Sequence, residues 1–413
     1  MPRSYFELPQ AGQREILDEA FSETGRSPSV IEKDIWLTLV LQLLFAMPGR
    51  KAMAFKGGTS LSKVHGVIKR FSEDVDITVD YRELGCKLSI PQLLELSRRK
   101  RDTVGEALKA EVGRYTRDAV LPYLIEQLQS YGCASECQLS VSDDGESIHV
   151  HYPAMAADAK GYLRDHVLVE FGGRNIIDPN AVHTIQPDIA GMFEGVAFPK
   201  AEGVVVLSPA RTFWEKVTLI HAQCNKPIAE GKDRISRHWY DLSRLLNHEV
   251  GAAAKNDLEL LDDVIALKSV FFNSGTAHYG RCVAGELNLI PDGENFDRLE
   301  SDYYAMERSG MLNGHFYPLG GIMDDLTAHP RACQPAGAGQ EGCCLGLRGG
   351  EAGRVGLPSS FRLRDRLDDD LGSAFLFHPH WSYGVHFRVT EPELLVSIDF
   401  THAQRFLPVR ELA

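Results

Sequence analysis

The chain has 413 residues, 44% of them hydrophobic, and a formal net charge of −13. That length allows two modest domains or one domain with a long appendage. The acidic balance argues against wholesale electrostatic adhesion to nucleic acid and leaves room only for a local basic patch, such as Arg98 to Arg101. The most apolar stretch, residues 35–47, is too short to cross a bilayer. The opening residues lack the basic-then-apolar pattern of a secretory signal. The eight cysteines show no zinc-ligand spacing and read as reduced thiols. A cytoplasmic protein with no membrane association is expected.

The predicted elements begin with a helix over residues 8–22. A second helix is better marked, with Ser27 as N-cap, Pro28 at the first helical position, and Leu37, Val40, Leu41, Leu44 and Phe45 at helical spacing. Pro48-Gly49 ends it. A short strand over 52–55 leads into Lys56-Gly57-Gly58-Thr59-Ser60, a turn whose Thr59 or Ser60 can cap a helix running to about Lys69. A strand over 75–79 follows, with Asp74 at its entrance. Residues 91–130 read as two charged helices, and 138–141, 148–152 and 166–171 as strands. Beyond Val206 the pattern turns helical, over 209–224, 236–246, 258–272 and 295–306. Residues 335–356, rich in Gly, Ala and Cys, read as linker or disorder. The predicted layout is N-terminal helices (1–50), an α/β core (51–206), a helical domain (207–328) and an atypical tail (329–413), linker-like or disordered over 330–358 and assigned no function.

The chemistry concentrates around the glycine turn. Asp74 and Asp76, two apart on a strand, point to one face. Two carboxylates on one face call for a cation, and Mg²⁺ accepts one or two of them while keeping water and substrate phosphate in its shell. Gly57 and Gly58 let the backbone approach a phosphate, and the helix behind them offers N–H groups and a positive dipole end. Ser60 can add a hydroxyl. Glu170, a lone carboxylate in the apolar run Val167-Leu168-Val169-Glu170-Phe171, is the candidate third ligand of a two-metal site, expected to lie buried. Arg174 either binds phosphate or pairs with Glu170, and Arg70 is a candidate phosphate contact. Ser72, two residues before Asp74, is a candidate modification site, since a phosphate there would repel substrate. His65 reads as a helix-surface residue.

The Gly-Gly…Asp-x-Asp arrangement resembles the signature of the polymerase-β nucleotidyltransferase superfamily. The fuller strings Lys-Gly-Gly-Thr-Ser-Leu-Ser-Lys (56–63) and Arg-Phe-Ser-Glu-Asp-Val-Asp-Ile (70–77) resemble the AbiEii/AbiGii toxin family within it. Ile31-Glu32-Lys33-Asp34, Glu215-Lys216, Arg237-His238-Trp239-Tyr240-Asp241-Leu242 and Asp302-Tyr303-Tyr304-Ala305-Met306 are similar to that family too, so the resemblance covers roughly residues 28–325. It implies an α/β (α+β) nucleotidyltransferase domain with a mixed sheet, followed by a helical domain. It implies Asp74 and Asp76 as metal ligands, Lys216 on the nucleotide phosphates and Asp241 as a second essential acid. Read from position alone, Lys216 is a snorkelling surface lysine and Asp241 half of a helix-surface ion pair.

The expected enzyme transfers an NMP from an NTP to an acceptor hydroxyl, with Mg²⁺ (or Mn²⁺). Its catalytic set is Asp74, Asp76, Glu170, Lys216 and Asp241. Its nucleotide-binding set is Lys56, Gly57, Gly58, Thr59, Ser60, Lys63, Arg70 and Lys216. The resemblance further implies the toxin half of a toxin–antitoxin or phage-defence pair, a tRNA 3′ end as acceptor and a cognate antitoxin encoded nearby. Two other readings stand beside it: a nucleotidyltransferase acting on a protein or small molecule, which the acidic charge favours, and a decayed nucleotide-binding module.

Overall fold

A computed structural model describes residues 2–156, 163–229, 234–309, 311–312 and 317–328, and the backbone of five short strands between 362 and 395. The chain forms two units, 1–337 and 338–413. In the second, Arg362–Arg364, Ser373–His378 and Trp381–His386 form an antiparallel three-stranded sheet, and Arg388–Thr390 pairs with Glu393–Leu395. The linker reading of 330–358 lies outside the described residues.

The first unit is built on a seven-stranded mixed sheet. Its strands are β1 (Met53–Lys56), β2 (Asp74–Asp80), β3 (Gln138–Val141), β4 (Ser147–His151), β5 (His166–Asn175), β6 (Asn180–Ile185) and β7 (Ala201–Leu207). The spatial order is β3-β4-β5-β2-β1-β7-β6. The pairs β2–β5 and β1–β7 are parallel and the remaining four antiparallel. The predicted strands all appear within one to four residues of their ends. β6 and β7 were missed: β6 is mostly exposed, so it carries no apolar alternation, and Gly203 at φ 66° interrupts the pattern of β7.

The main helices are α1 (Gln10–Thr24), α2 (Pro28–Ala46), α3 (Gly57–Lys63), α4 (Arg98–Tyr115), α5 (Leu121–Leu128), α6 (Pro209–Cys224), α7 (Ser236–Leu246), α8 (Leu258–Phe271), α9 (Gly293–Arg308) and α10 (Leu319–Ala328). The Ser27 side chain accepts from the Val30 N–H, the cap expected from the sequence. α3 differs from expectation at both ends. Lys56, whose side chain makes no capping hydrogen bond, occupies the N-cap position. The helix stops at Lys63, six residues early, because the chain reverses through Gly66 at φ 62°. Arg98 to Lys100 form the exposed first turn of α4, and Arg101 donates to Ser269 O.

α2 is apolar on nearly every side, the mark of a helix enclosed by protein. Its Ile35, Leu39 and Leu43 belong to a core shared with Phe55, Val75, Ile77 and Val169 from one face of the sheet. A second core joins Phe213, Trp214, Trp239, Leu242, Val264 and Tyr303 of α6 to α9, and Val30 at the start of α2 packs into it with Leu61 of α3. Because successive strand residues alternate faces, burying Val75, Ile77 and Val169 leaves Asp74, Asp76 and Glu170 on the opposite face, where the helical half meets the sheet.

Candidate active site

Hydrogen-bond register fixes the centre of the site. Lys56 of β1 lies opposite Asp76 of β2, and Asp76 opposite Glu170 of β5, so three ionisable side chains form one row across three strands. Asp74 stands one pleat away on the same face. Glu170 is not buried as expected: its side chain opens to solvent, because the face it shares with Asp76 is the cleft wall rather than the core. Desolvation, followed by the charges of Asp76 and Asp74, pushes the Glu170 carboxyl up to about 7. Desolvation and Asp74 likewise raise Asp76 above the ordinary carboxylate range. No hydrogen bond or ion pair to the Asp76 carboxylate is found among the described residues.

The glycines also meet a steric demand inside the protein. A Cβ on Gly57, which sits at φ 79°, would stand 2.0 Å from Asp76 Oδ2. A Cβ on Gly58 would stand 2.4 Å from Arg70 Nη2 and 2.9 Å from Ser72 Oγ. The Gly-Gly turn thus makes room for three protein side chains, one of them Asp76 itself.

Arg70 does not reach the cleft. It is buried and forms a two-pronged bond to Asp241, Nε to Oδ1 at 2.7 Å and Nη2 to Oδ2 at 2.8 Å. Lys216 Nζ pairs with Asp241 Oδ2 at 2.8 Å. Asp241 is fully buried, not a helix-surface residue, and Lys216 is buried rather than snorkelling. Burial opposes the charge on Asp241, but Arg70 and then Lys216 overcome it and hold the carboxyl well below its usual range. Such a triad is favourable only while every member is present.

Other motif residues are also occupied inside the protein. Thr59 Oγ1 donates to Asp74 O at 2.6 Å, and Ser60 Oγ to Gly57 O at 2.9 Å; both residues are buried. Lys63 pairs with Asp34 at 2.5 Å and Asp188 at 3.0 Å. Glu73 is buried against Lys33 at 2.7 Å and Arg234 at 2.5 Å. Ser72 is buried, which shields its hydroxyl from modification. Arg174 stacks over Phe272, 4.7 Å from the ring centre, rather than pairing with Glu170. Lys56 keeps a partly exposed ammonium, 3.6 Å from Glu215.

Two residues that the sequence did not single out for the site also reach Asp74. Arg164, just before β5, engages Asp74 Oδ1, and Arg237 of α7 lies 3.4 Å from Asp74 Oδ2. Arg237 stood within a motif string, but Arg164 carries no local signal; only the fold brings it across from residue 164 to residue 74.

The family model described as nucleotidyl transferase AbiEii toxin, Type IV toxin–antitoxin system, matches residues 40–315. The chain belongs to the AbiEii family. It is a nucleotidyltransferase, and that family brings with it an NTP substrate and an antitoxin partner. A solved structure similar to it is MenT4, a nucleotidyltransferase toxin from Mycobacterium tuberculosis H37Rv, at 17% identity and a TM-score of 0.37, covering 79% of this chain and 94% of that one. No curated protein sequence matches. Among the described residues, no helix of this AbiEii protein is long and apolar enough to cross a membrane.

Nucleotidyltransferases of this kind usually use a divalent metal, and the residues present fit one in part. Asp76 and Glu170 are adjacent hard oxygen donors that repel each other and, among the described residues, have no cationic partner within ion-pair distance. Asp74 has both oxygens engaged by arginines. The three carboxylates are not drawn into one tight coordination sphere.

Proposed function

We propose that this AbiEii nucleotidyltransferase is Mg²⁺-dependent and transfers an NMP from an NTP to a tRNA 3′-terminal hydroxyl, as the toxin of a toxin–antitoxin or phage-defence pair. The observation that carries the reading is the row Lys56–Asp76–Glu170 with Asp74 beside it, a set of carboxylates whose mutual repulsion asks for a divalent cation. Asp76 and Glu170 would hold the metal, with Asp74 joining once Arg164 and Arg237 turn to the substrate phosphates. When bound, the metal supplies charge neutralisation on the phosphates and acidifies the attacking hydroxyl.

The chain's own residues do the rest. The acceptor hydroxyl gives up its proton to solvent as its oxygen bonds to the α-phosphorus, the bond to the bridging oxygen breaks and pyrophosphate leaves. Lys56, Arg164 and Arg237 face the cleft as cations fixed before substrate arrives, which is where electrostatic stabilisation is most effective. Lys216 lends its charge from behind, and Asp241 acts as a positioning residue by holding Arg70 and Lys216. The family resemblance supports the tRNA acceptor. The acidic net charge favours a protein or small-molecule acceptor.

Four NTPs labelled in the α-phosphate, each incubated with Mg²⁺, purified tRNA and wild type or Asp76→Ala, test the reading. Label entering tRNA with wild type alone is the expected result. Label absent from tRNA under all four NTPs, but present in a protein extract, moves the acceptor to protein.

A further inference from the structure

A second cluster on the same sheet face has no part in the reaction above. His149 and His151 alternate along β4, and His151 lies opposite His166 at the start of β5. Asp165 precedes His166. His166 Nδ1 is 2.7 Å from Asp165 Oδ1, His151 Nδ1 is 3.8 Å from the same oxygen, and His149 Nδ1 is 2.9 Å from His166 Nε2. The rings of His151 and His166 stand 4.8 Å apart. Among the described residues, His151, Asp165 and His166 are the one set of three potential ligands whose donor atoms all fall within 4.8 Å of one another.

We propose that His151, Asp165 and His166 form a site for a Zn²⁺-class transition-metal ion, separate from the Asp76–Glu170 site. The donor set, two imidazoles and a carboxylate, suits Zn²⁺ and its neighbours, whereas the all-carboxylate row suits Mg²⁺. Bonds of about 2.0–2.2 Å to a common ion place tetrahedral donors roughly 3.5 Å apart, so the 2.7 Å Asp165–His166 pair opens to admit the ion while His151, 3.8 Å from the same carboxylate oxygen, closes in. The ion takes the place of the proton shared by His166 Nδ1 and Asp165 Oδ1. His166 Nε2 then carries the ring proton and donates it to His149 Nδ1, an outer partner that fixes the tautomer as such partners do in metal sites. The Asp165 and His151 side chains are 82% and 42% exposed, so an ion enters from solvent and the fourth position stays open to water. Asp165 directly follows Arg164, so an ion here fixes the residue that engages Asp74.

The test is calorimetric titration of the untagged full chain with Zn²⁺, repeated with Co²⁺ and read by its visible ligand-field bands. One tight Zn²⁺ per chain is expected, with tetrahedral Co²⁺ bands. His151→Asn and His166→Asn should each weaken binding by more than about 100-fold, beyond the loss typical of an outer-shell partner. His149→Asn should weaken it by about 10-fold. The double variant Asp76→Asn/Glu170→Gln should keep the tight ion whether or not it retains transfer activity, which separates this site from the proposed catalytic one. Tight Zn²⁺ binding undiminished in His151→Asn/His166→Asn overturns the proposal, as does its loss only in Asp76→Asn/Glu170→Gln. If a histidine variant unfolds by circular dichroism, the wild-type Co²⁺ spectrum decides: octahedral bands, or none, overturn it.

Discussion

Two groups of acidic residues, drawn from the motifs and from the strand beside them, have opposite fates. Asp241, Glu73 and Asp34 are buried and each is matched by at least one cation within 2.8 Å. Asp76 and Glu170 stand on the cleft wall, where desolvation and neighbouring carboxylates (Asp74 for Asp76, Asp76 and Asp74 for Glu170) raise both carboxyls. A carboxylate the protein has satisfied holds the structure. One left in the field of another carboxylate is placed for something that arrives later. Position in a motif does not distinguish the two.

The sharpest way to break this contrast is to neutralise one residue of each kind. Asp76→Asn is expected to lower nucleotidyl transfer by about 10³-fold or more, the scale of losing a group that stabilises transition-state charge, while the melting temperature holds or rises because a repulsion is removed. Asp241→Asn should do the reverse to stability. It leaves Arg70 and Lys216 buried with too little opposing charge, at a cost of about 3–5 kcal/mol, visible as a large drop in the denaturation midpoint. Equal stability losses in both variants would erase the distinction.

A finer comparison lies within the glycine turn. Gly57→Ala should harm activity as well as stability, since its Cβ would displace the Asp76 carboxylate and the left-handed φ of 79° strains any side chain. Gly58→Ala should chiefly harm stability, by roughly 1–3 kcal/mol, since its Cβ meets the Arg70 guanidinium. Activity assays and urea midpoints on the pair separate the two.

The smallest effect concerns acid. His65, expected at the helix surface, is half-buried beside His183, with ring centres 5.8 Å apart. Burial first, and then His183 and His248, press its pKa down to about 4. Folding therefore disfavours its protonated form, so its contribution is complete above about pH 6.5 and is lost as pH falls from there toward 4. His65→Phe should make the urea midpoint less sensitive to acid across that window. An unchanged slope would show that His65 does not titrate there.

Most of the sheet and its carboxylate-bearing face were legible, because alternation around Val75, Asp76 and Ile77 says which side chains face the core, and the predicted starts of α6 and α7 were correct because Pro209 and the apolar spacing mark them. Proximity in space was not legible. Nothing near Arg70 announces a bond to Asp241, and a lysine at position 216 beside an apolar stripe reads as surface until α7 closes over it. Arg164 and β6 were missed for the same reason: their roles depend on neighbours that local pattern does not encode.

The contact between Gly58 and Arg70 has a consequence for inheritance. Position 58 tolerates no side chain because Arg70 fills the space, Arg70 is held there by Asp241, and Asp241 is balanced by Lys216 as well. A side chain at 58 meets the Arg70 guanidinium, and loss of Asp241 leaves two buried cations without their shared carboxylate. Drift at 58 and at 241 is therefore tied to what stands at 70, and these three codons, scattered along the gene, are inherited under one shared constraint.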